Sequence, residues 1–141
     1  MTLQIDDVIA TFDMLDTWED RYRYLIEMGR SLAPLMDEER SEHNRVRGCA
    51  SQVWLVTRLT QRPDGSPLLR FRGDSDAHIV KGLVALVLSF YDGKAPQDVL
   101  SSDVMGLFKQ LELSEHLTPQ RSNGVRSMVE RIRRDATQAL A

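Results

Sequence analysis

The residue of this 141-residue chain with the most distinctive chemistry is Cys49, its single cysteine. It follows Gly48 in a polar segment, with Arg45 and Arg47 just before it. Glycine permits unusual backbone angles, and neighbouring cations favour the thiolate, which is the nucleophilic form of cysteine. The segment therefore predicts a reactive thiol in a loop. A free cysteine is also commonly a small buried apolar residue, and both interpretations stay open at this point.

A single cysteine excludes several kinds of chemistry within one chain. A disulfide needs two thiols, and a Cys-only zinc site or an iron–sulfur cluster needs about four. Cys49 must therefore act alone or together with another protein.

Histidines and carboxylates are weaker candidates for catalysis. His43, His78 and His116 could each complete a Cys–His nucleophilic pair, but their spacing matches no local signature. We predict solvated or structural roles for them. Asp74 and Asp76 could act as acid and base. Because they directly precede a predicted helix, we predict instead that they cap it.

The apolar pattern places these residues on an α+β framework. A period of two after Ser51, with a turn signal at residues 63–65, predicts an antiparallel hairpin that ends at Gly73. Strands and helices are segregated, which predicts a single α+β domain over residues 1–141, with a small antiparallel β-sheet packed against helices. The predicted elements are helices over 5–15 and 17–29, strands over 51–60 and 68–72, and helices over 77–91, 103–111 and from 118 onward.

Two of these helices bear on the candidate residues. The helix over 77–91 is apolar around most of its circumference, which predicts a central, buried position. The last helix begins with Thr118 as its cap and Pro119 at its first position. The polar cluster at residues 121–124 follows within its first turns. These residues could simply form the N-terminal turns of an ordinary helix, or they could have a functional role, and the sequence leaves both interpretations open.

Composition and charge limit the kinds of partner that this protein is expected to bind. The chain is 42% hydrophobic, enough for a core, and its 18 basic and 21 acidic residues give a net charge of -3. This balance predicts no nucleic acid as the main partner. Residues 1–42 are strongly acidic and residues 43–141 are basic, with arginine as the main cation. Since arginine suits carboxylate contacts at interfaces, the asymmetry favours a protein partner.

No export or membrane segment is predicted. The N-terminal residues 1–7 have neither a cationic region nor a long apolar run, so we expect no secretory signal. The most apolar stretch, residues 79–91, is interrupted by Lys81 and is shorter than the about 20 residues that span a bilayer. We therefore expect a cytoplasmic protein that does not bind membranes.

Three motifs occur in order around the candidate residues. They read VxGCxSQVWL at 46–55, FxGDSDAxIVKGL at 71–83 and HLTPxRSNG at 116–124. Together with the segments 18–22 and 25–29, they resemble the SufE/CsdE family of sulfur acceptors of cysteine desulfurases. The resemblance covers most of the chain.

This resemblance implies a SufE/IscU-like α+β fold and a sulfur-carrier function. A cysteine desulfurase, SufS-like or CsdA-like, would hold sulfur as a persulfide, and the Cys49 thiolate would take its terminal sulfur. The carrier would stimulate the desulfurase and pass the sulfur to a cluster-assembly scaffold. The chain would then hold no cofactor, since pyridoxal phosphate belongs to the desulfurase. It would be a sulfur-transfer partner, monomeric or homodimeric, rather than an enzyme in the strict sense.

The resemblance also implies supporting or partner-binding roles for Gly48, Asp74 and Arg121 near the Cys49 loop. We expect the unengaged Cys49 side chain to lie against apolar residues near the strand start, and the loop to swing out when a partner binds. Two alternatives stay open. One is an IscU-like cluster-assembly scaffold, and the other is a Cys–His thiol hydrolase with one of the three histidines as its base.

Overall fold

The N-terminal helices form where the apolar spacing predicts them. In the computed structural model, which describes residues 4–141, helix α1 (Ile5–Met14) and helix α2 (Trp18–Arg30) each bury one face. Thr17 caps α2, because its hydroxyl accepts a hydrogen bond of 3.1 Å from the backbone N–H of Asp20. Residues 1–3, part of the segment expected to carry no secretory signal, lie outside the described residues.

The predicted hairpin is present, but its second strand is longer than expected. Strands β1 (Val53–Gln61) and β2 (Pro67–Ser75) pair antiparallel, with Gly73 opposite Leu55. The prediction that Gly73 ends the strand is therefore wrong. A Cβ at this position would lie 2.9 Å from the Val84 side chain, so glycine serves close packing here rather than a chain reversal.

The predicted capping of the next helix is also wrong. Helix α3 (His78–Tyr91) has Ala77 as its N-cap, with no side-chain hydrogen bond. Because β2 continues through Ser75, Asp74 lies in a strand. The carboxylate of Asp76 instead accepts a hydrogen bond of 3.0 Å from the backbone N–H of Gln52.

The C-terminal part contains more helices than the sequence predicts. Within the described residues, five helices follow the hairpin rather than three. Two of them have four and six residues, too short for an apolar period to reveal. The last helix does begin as predicted, with Thr118 as its cap. After α3 the helices are α4 (Pro96–Ser101), α5 (Val104–Gln110), α6 (Leu113–His116) and α7 (Pro119–Leu140).

Helix α3 is the centre of the core, as its apolar circumference predicts. It packs against α2, β2 and α7, and its residues from Gly82 to Leu88 are all buried. A Cβ on Gly82 would overlap the backbone of Leu25, so glycine allows α2 and α3 to approach closely. The fold is thus a two-stranded antiparallel sheet and surrounding helices packed on one central helix, which confirms the α+β prediction. Among residues 4–141, no helix is long and apolar enough to cross a bilayer.

Candidate functional site

The Cys49 turn, residues 47–51, is fixed at both ends. Before it, the backbone N–H of Val46 donates to the carbonyl of Val53 at 2.8 Å. After it, Gln52 exchanges hydrogen bonds with the backbone and carboxylate of Asp76. Arg47 and Gly48 form a tight turn, and within the described chain none of residues 47–51 pairs with a strand. Two anchors therefore hold a short segment whose own backbone is not part of any ladder.

Gly48 is required in this turn for two physical reasons. Its φ of 89° lies in the left-handed region, which other residues adopt at a cost. A Cβ at this position would also lie 2.5 Å from the hydroxyl oxygen of Ser127 in α7. Glycine thus allows the turn to pack directly on α7.

The thiol of Cys49 points towards the start of α7 and is half-buried. Its sulfur lies 3.6 Å from the carbonyl oxygen of Gly124, within reach of a weak S–H hydrogen bond. It borders a cavity of about 240 Å³, which we call the thiol cavity and whose walls include Leu83 and Val80 of α3 and Met128 of α7. Cys49 packs against the apolar core as expected, and the apolar walls of the cavity beside it belong mainly to α3 and α7.

Burial decides the pKa of the thiol. Desolvation raises the pKa of Cys49 above its ordinary value, and the positive charge of Arg45 opposes this only in part. Arg45 and Arg47 both form ion pairs with Glu42, at 3.6 and 3.3 Å. The expectation that these two arginines favour the thiolate is therefore confirmed in direction for Arg45 alone, and its effect is smaller than that of burial.

The structure brings Arg121, but not Asp74, to the cavity that the thiol borders. Arg121 borders the thiol cavity, in the first turn of α7. Asp74 does not border it, and its carboxylate instead binds Arg40 at 2.8 Å and Lys81 at 3.2 Å. Burial alone would raise the pKa of Asp74, but these cations and the N–H of Ser75 outweigh burial and lower it. Asp74 thus acts as an ionised link between β2, α3 and the segment before the turn.

The histidines lie elsewhere. The ring of His116 stacks on Trp18, with 3.6 Å between the ring centroids, and its Nδ1 lies 2.9 Å from the carbonyl oxygen of Glu112. Of the histidines, which all lie within residues 4–141, none borders the thiol cavity, so no Cys–His pair is assembled. Nor does the described part of the chain group three His, Cys, Asp or Glu side chains in a way that could hold a metal ion.

Sequence reasoning missed two residues of the site. Ser127, against Gly48, and Arg131, which binds the carbonyl oxygens of His43 and Arg45, both lie on α7. Ser127 and Arg131 are three and seven positions after Gly124, so helical spacing places all three towards one side. This spacing could not identify Ser127 and Arg131 from the sequence alone, because only the structure shows that the Cys49 turn packs on this side of α7.

Fold and site together define a class of small α+β proteins that present one shielded cysteine from a turn before a β-hairpin. The family described as "SufE: Fe-S metabolism associated domain" matches residues 6–136. The chain therefore belongs to the SufE family, which is associated with iron–sulfur metabolism.

Relatives agree with this assignment. The chain is 52% identical over 132 residues to an uncharacterized SufE-like protein of Rhizobium etli, covering 94% of this chain and 88% of the relative. It is 49% identical to another of Rhizobium meliloti, covering 94% of each. The solution structure of a hypothetical protein from Thermus thermophilus superposes with a TM-score of 0.73 at 22% identity. The superposition covers 99% of this chain and 98% of the Thermus thermophilus protein. At this level of identity it supports the fold alone.

Proposed function

We propose that this protein accepts sulfur from a cysteine desulfurase onto Cys49, stimulates that enzyme and passes the sulfur on to iron–sulfur cluster assembly. The observation that carries the proposal is the placement of the single thiol at a turn that belongs to no strand or helix, with its sulfur facing a largely apolar cavity. Family membership supplies the link to iron–sulfur metabolism.

The transfer step needs one nucleophile and no cofactor on this chain. The Cys49 thiolate attacks the terminal sulfur of the desulfurase persulfide, and a new S–S bond forms as the old one breaks. The desulfurase cysteine leaves as a thiolate, and the proton of the terminal sulfur remains on the new Cys49 persulfide. The sulfur keeps its oxidation state, so no oxidant or reductant is consumed. Pyridoxal phosphate and its chemistry belong to the desulfurase in this proposal.

The surroundings of the thiol suit a carrier between two partners. The raised pKa of Cys49 keeps the free protein mostly in its thiol form, which limits stray reactions. The thiol cavity has room for one further sulfur atom beside Leu83 and Met128. Because the turn has no ladder hydrogen bonds, a partner can draw it outwards without breaking the sheet. Movement of the turn would then expose the sulfur and lower the desolvation that raises the thiol pKa.

The first prediction tests the acceptor directly. After incubation with L-cysteine and the desulfurase of the same organism, mass spectrometry without reductant should find the mass of one added sulfur atom on the Cys49 peptide. Cys49→Ser should bind the desulfurase, carry no sulfur and give no stimulation, because a hydroxyl cannot form the persulfide. Ala10→Ser, at an exposed position of α1 that borders neither the thiol cavity nor the turn, should behave like the unmodified protein.

Two outcomes would contradict the proposal. One is an unmodified Cys49 after full desulfurase turnover, and the other is normal stimulation by Cys49→Ser. Binding by Cys49→Ser, measured in the same series, separates loss of chemistry from loss of folding.

A further inference from the structure

A second cavity, of about 350 Å³, lies beside the Cys49 turn next to Arg47. Four arginines border it, and we call it the arginine pocket: Arg45, Arg47, Arg131 and Arg134. Glu42 and Glu130 also border it, and Asp135 pairs with Arg131 and Arg134, so four guanidinium groups face three carboxylates. The whole chain carries a net charge of -3, so this is a local concentration of positive charge on an acidic protein.

The arginines of the pocket have different roles. Arg131 is 11% exposed and acts as a brace, bound to Asp135 at 3.3 Å and to the carbonyl oxygen of His43 at 3.1 Å. Arg47 and Arg134 are 80% and 61% exposed. The pocket thus has a rigid floor and two accessible guanidinium groups at its rim.

The rim arginines can exchange their partners. Arg47 pairs with Glu42, which is itself exposed, and Arg134 reaches Asp135 only at 4.0 Å. Exposed ion pairs contribute little to stability, so carboxylates from another molecule can replace them with little loss. The planar guanidinium binds carboxylates in a bidentate way, which gives such contacts direction as well as charge.

The pocket is mechanically close to the thiol. Ser127 borders the pocket and contacts the turn at Gly48, whereas Gly124, three residues earlier in α7, contacts the Cys49 sulfur. These two contacts lie about 5 Å apart along the helix axis. A segment held in the arginine pocket would therefore touch the same turn that carries the nucleophile.

We propose that the arginine pocket binds an acidic polypeptide segment, rich in aspartate or glutamate, on the surface of the protein that donates sulfur. This inference rests on the proposed function for the identity of the donor. Binding there steers the two proteins together and places the Cys49 turn against the donor persulfide. A short acidic segment is favoured over nucleic acid, because four arginines in one pocket match a few carboxylates, whereas a chain with a net charge of -3 lacks the excess of basic residues typical of nucleic-acid binding.

The test uses two doubly reversed variants in the Cys49→Ser background, which isolates binding from sulfur transfer. Arg47→Glu/Arg134→Glu alters the rim, and Arg58→Glu/Arg126→Glu makes the same charge change at exposed arginines that border neither cavity. Titration against the intact desulfurase should show at least about tenfold weaker binding for the rim variant and less than about twofold for the control. The difference should shrink at high salt, because exposed charges are screened.

The outcomes for the two proposals are distinct. Equal binding of both variants, or equal weakening, would overturn the arginine pocket as the docking site. If the unmodified protein binds through the rim arginines but Cys49 never carries sulfur, this inference stands and the proposed function fails. If sulfur transfer is normal and rim reversal changes neither binding nor the half-saturating concentration, the function stands and this inference fails. No binding of the desulfurase by the unmodified protein would overturn both.

Discussion

Helix α7 presents two different surfaces to the two sides of the Cys49 turn. On one side, Gly124 and Met128 form part of a largely apolar cavity around the thiol. On the other, Arg131 and Arg134 contribute to a charged pocket that is open to solvent. The apolar side raises the pKa of the Cys49 thiol by burial, while the charged side leaves guanidinium groups exposed to solvent. The turn between them carries Cys49 and connects the two surfaces.

This contrast shows that nearness in sequence does not decide electrostatic effect. Arg47 is two residues from Cys49, yet its guanidinium pairs with Glu42 in the arginine pocket. The groups that dominate the thiol pKa are instead the buried surroundings contributed by distant helices. A cation influences a thiol only where the fold directs its charge.

The largest change in stability is expected at Arg131, the buried arginine of the arginine pocket, in contrast to the exposed arginines at its rim. Arg131→Ala should lower the free energy of unfolding by about 2–4 kcal/mol, because Asp135 and two backbone carbonyls lose a largely buried cationic partner. Arg134→Ala should change it by less than about 0.5 kcal/mol, since this side chain is exposed and only 4.0 Å from Asp135. Urea unfolding followed by tryptophan fluorescence measures both. Similar losses in the two variants would refute the division into brace and rim.

A smaller loss is expected where the turn meets α7. Gly48→Ala should cost about 1–3 kcal/mol, because alanine is strained at this φ and its Cβ would crowd Ser127. Gly65→Ala is the matched control. Gly65 has a φ of 87° with no atom near its missing Cβ, so only the backbone strain remains. Gly48→Ala/Ser127→Ala should recover the difference between the two glycine variants, and strict additivity in that double-mutant cycle would contradict the contact.

The smallest effect concerns the charge of the thiol. Iodoacetamide alkylation of Cys49 should have a midpoint pH above that of the urea-unfolded chain, because burial raises the pKa of the folded thiol. Arg45→Ala should raise the midpoint further, whereas Arg47→Ala should leave it unchanged. Since the folded protein binds this proton more tightly, the stability it contributes is present below the unfolded pKa and is lost as the pH rises through the folded pKa. A lower midpoint in the folded protein would place the thiol outside the apolar cavity.

Much of the fold could be predicted from the spacing of apolar residues and from capping residues. The predictions that failed did so because a residue interacts with a distant part of the chain. The hairpin, the buried α3 and the Thr118 cap of α7 were all predictable, because each depends on residue spacing within one element. The errors at Gly73 and Asp74 arise where a local signal has a distant partner. A glycine that resembles a strand end packs against α3, and a carboxylate that resembles a cap binds Arg40 and Lys81.

The candidate site divides in the same way. The motif at 46–55 made Cys49 and Gly48 candidates, and the motif at 116–124 added Arg121. That Arg121 reaches the thiol cavity, whereas Asp74 does not border it, depends on how α7 crosses the turn. The arginine pocket combines residues 42–47 with residues 127–134, which no local pattern connects.

The sequence by itself determined the fold class, the single thiol and the family motifs, because these depend on residue types and on spacing along the chain. Only the tertiary structure decided the state of that thiol. Packing α3 and α7 around Cys49 removes water from the sulfur, so the raised pKa results from contacts between distant segments. The single cysteine is thus a property of the sequence, whereas its protection is a property of the fold.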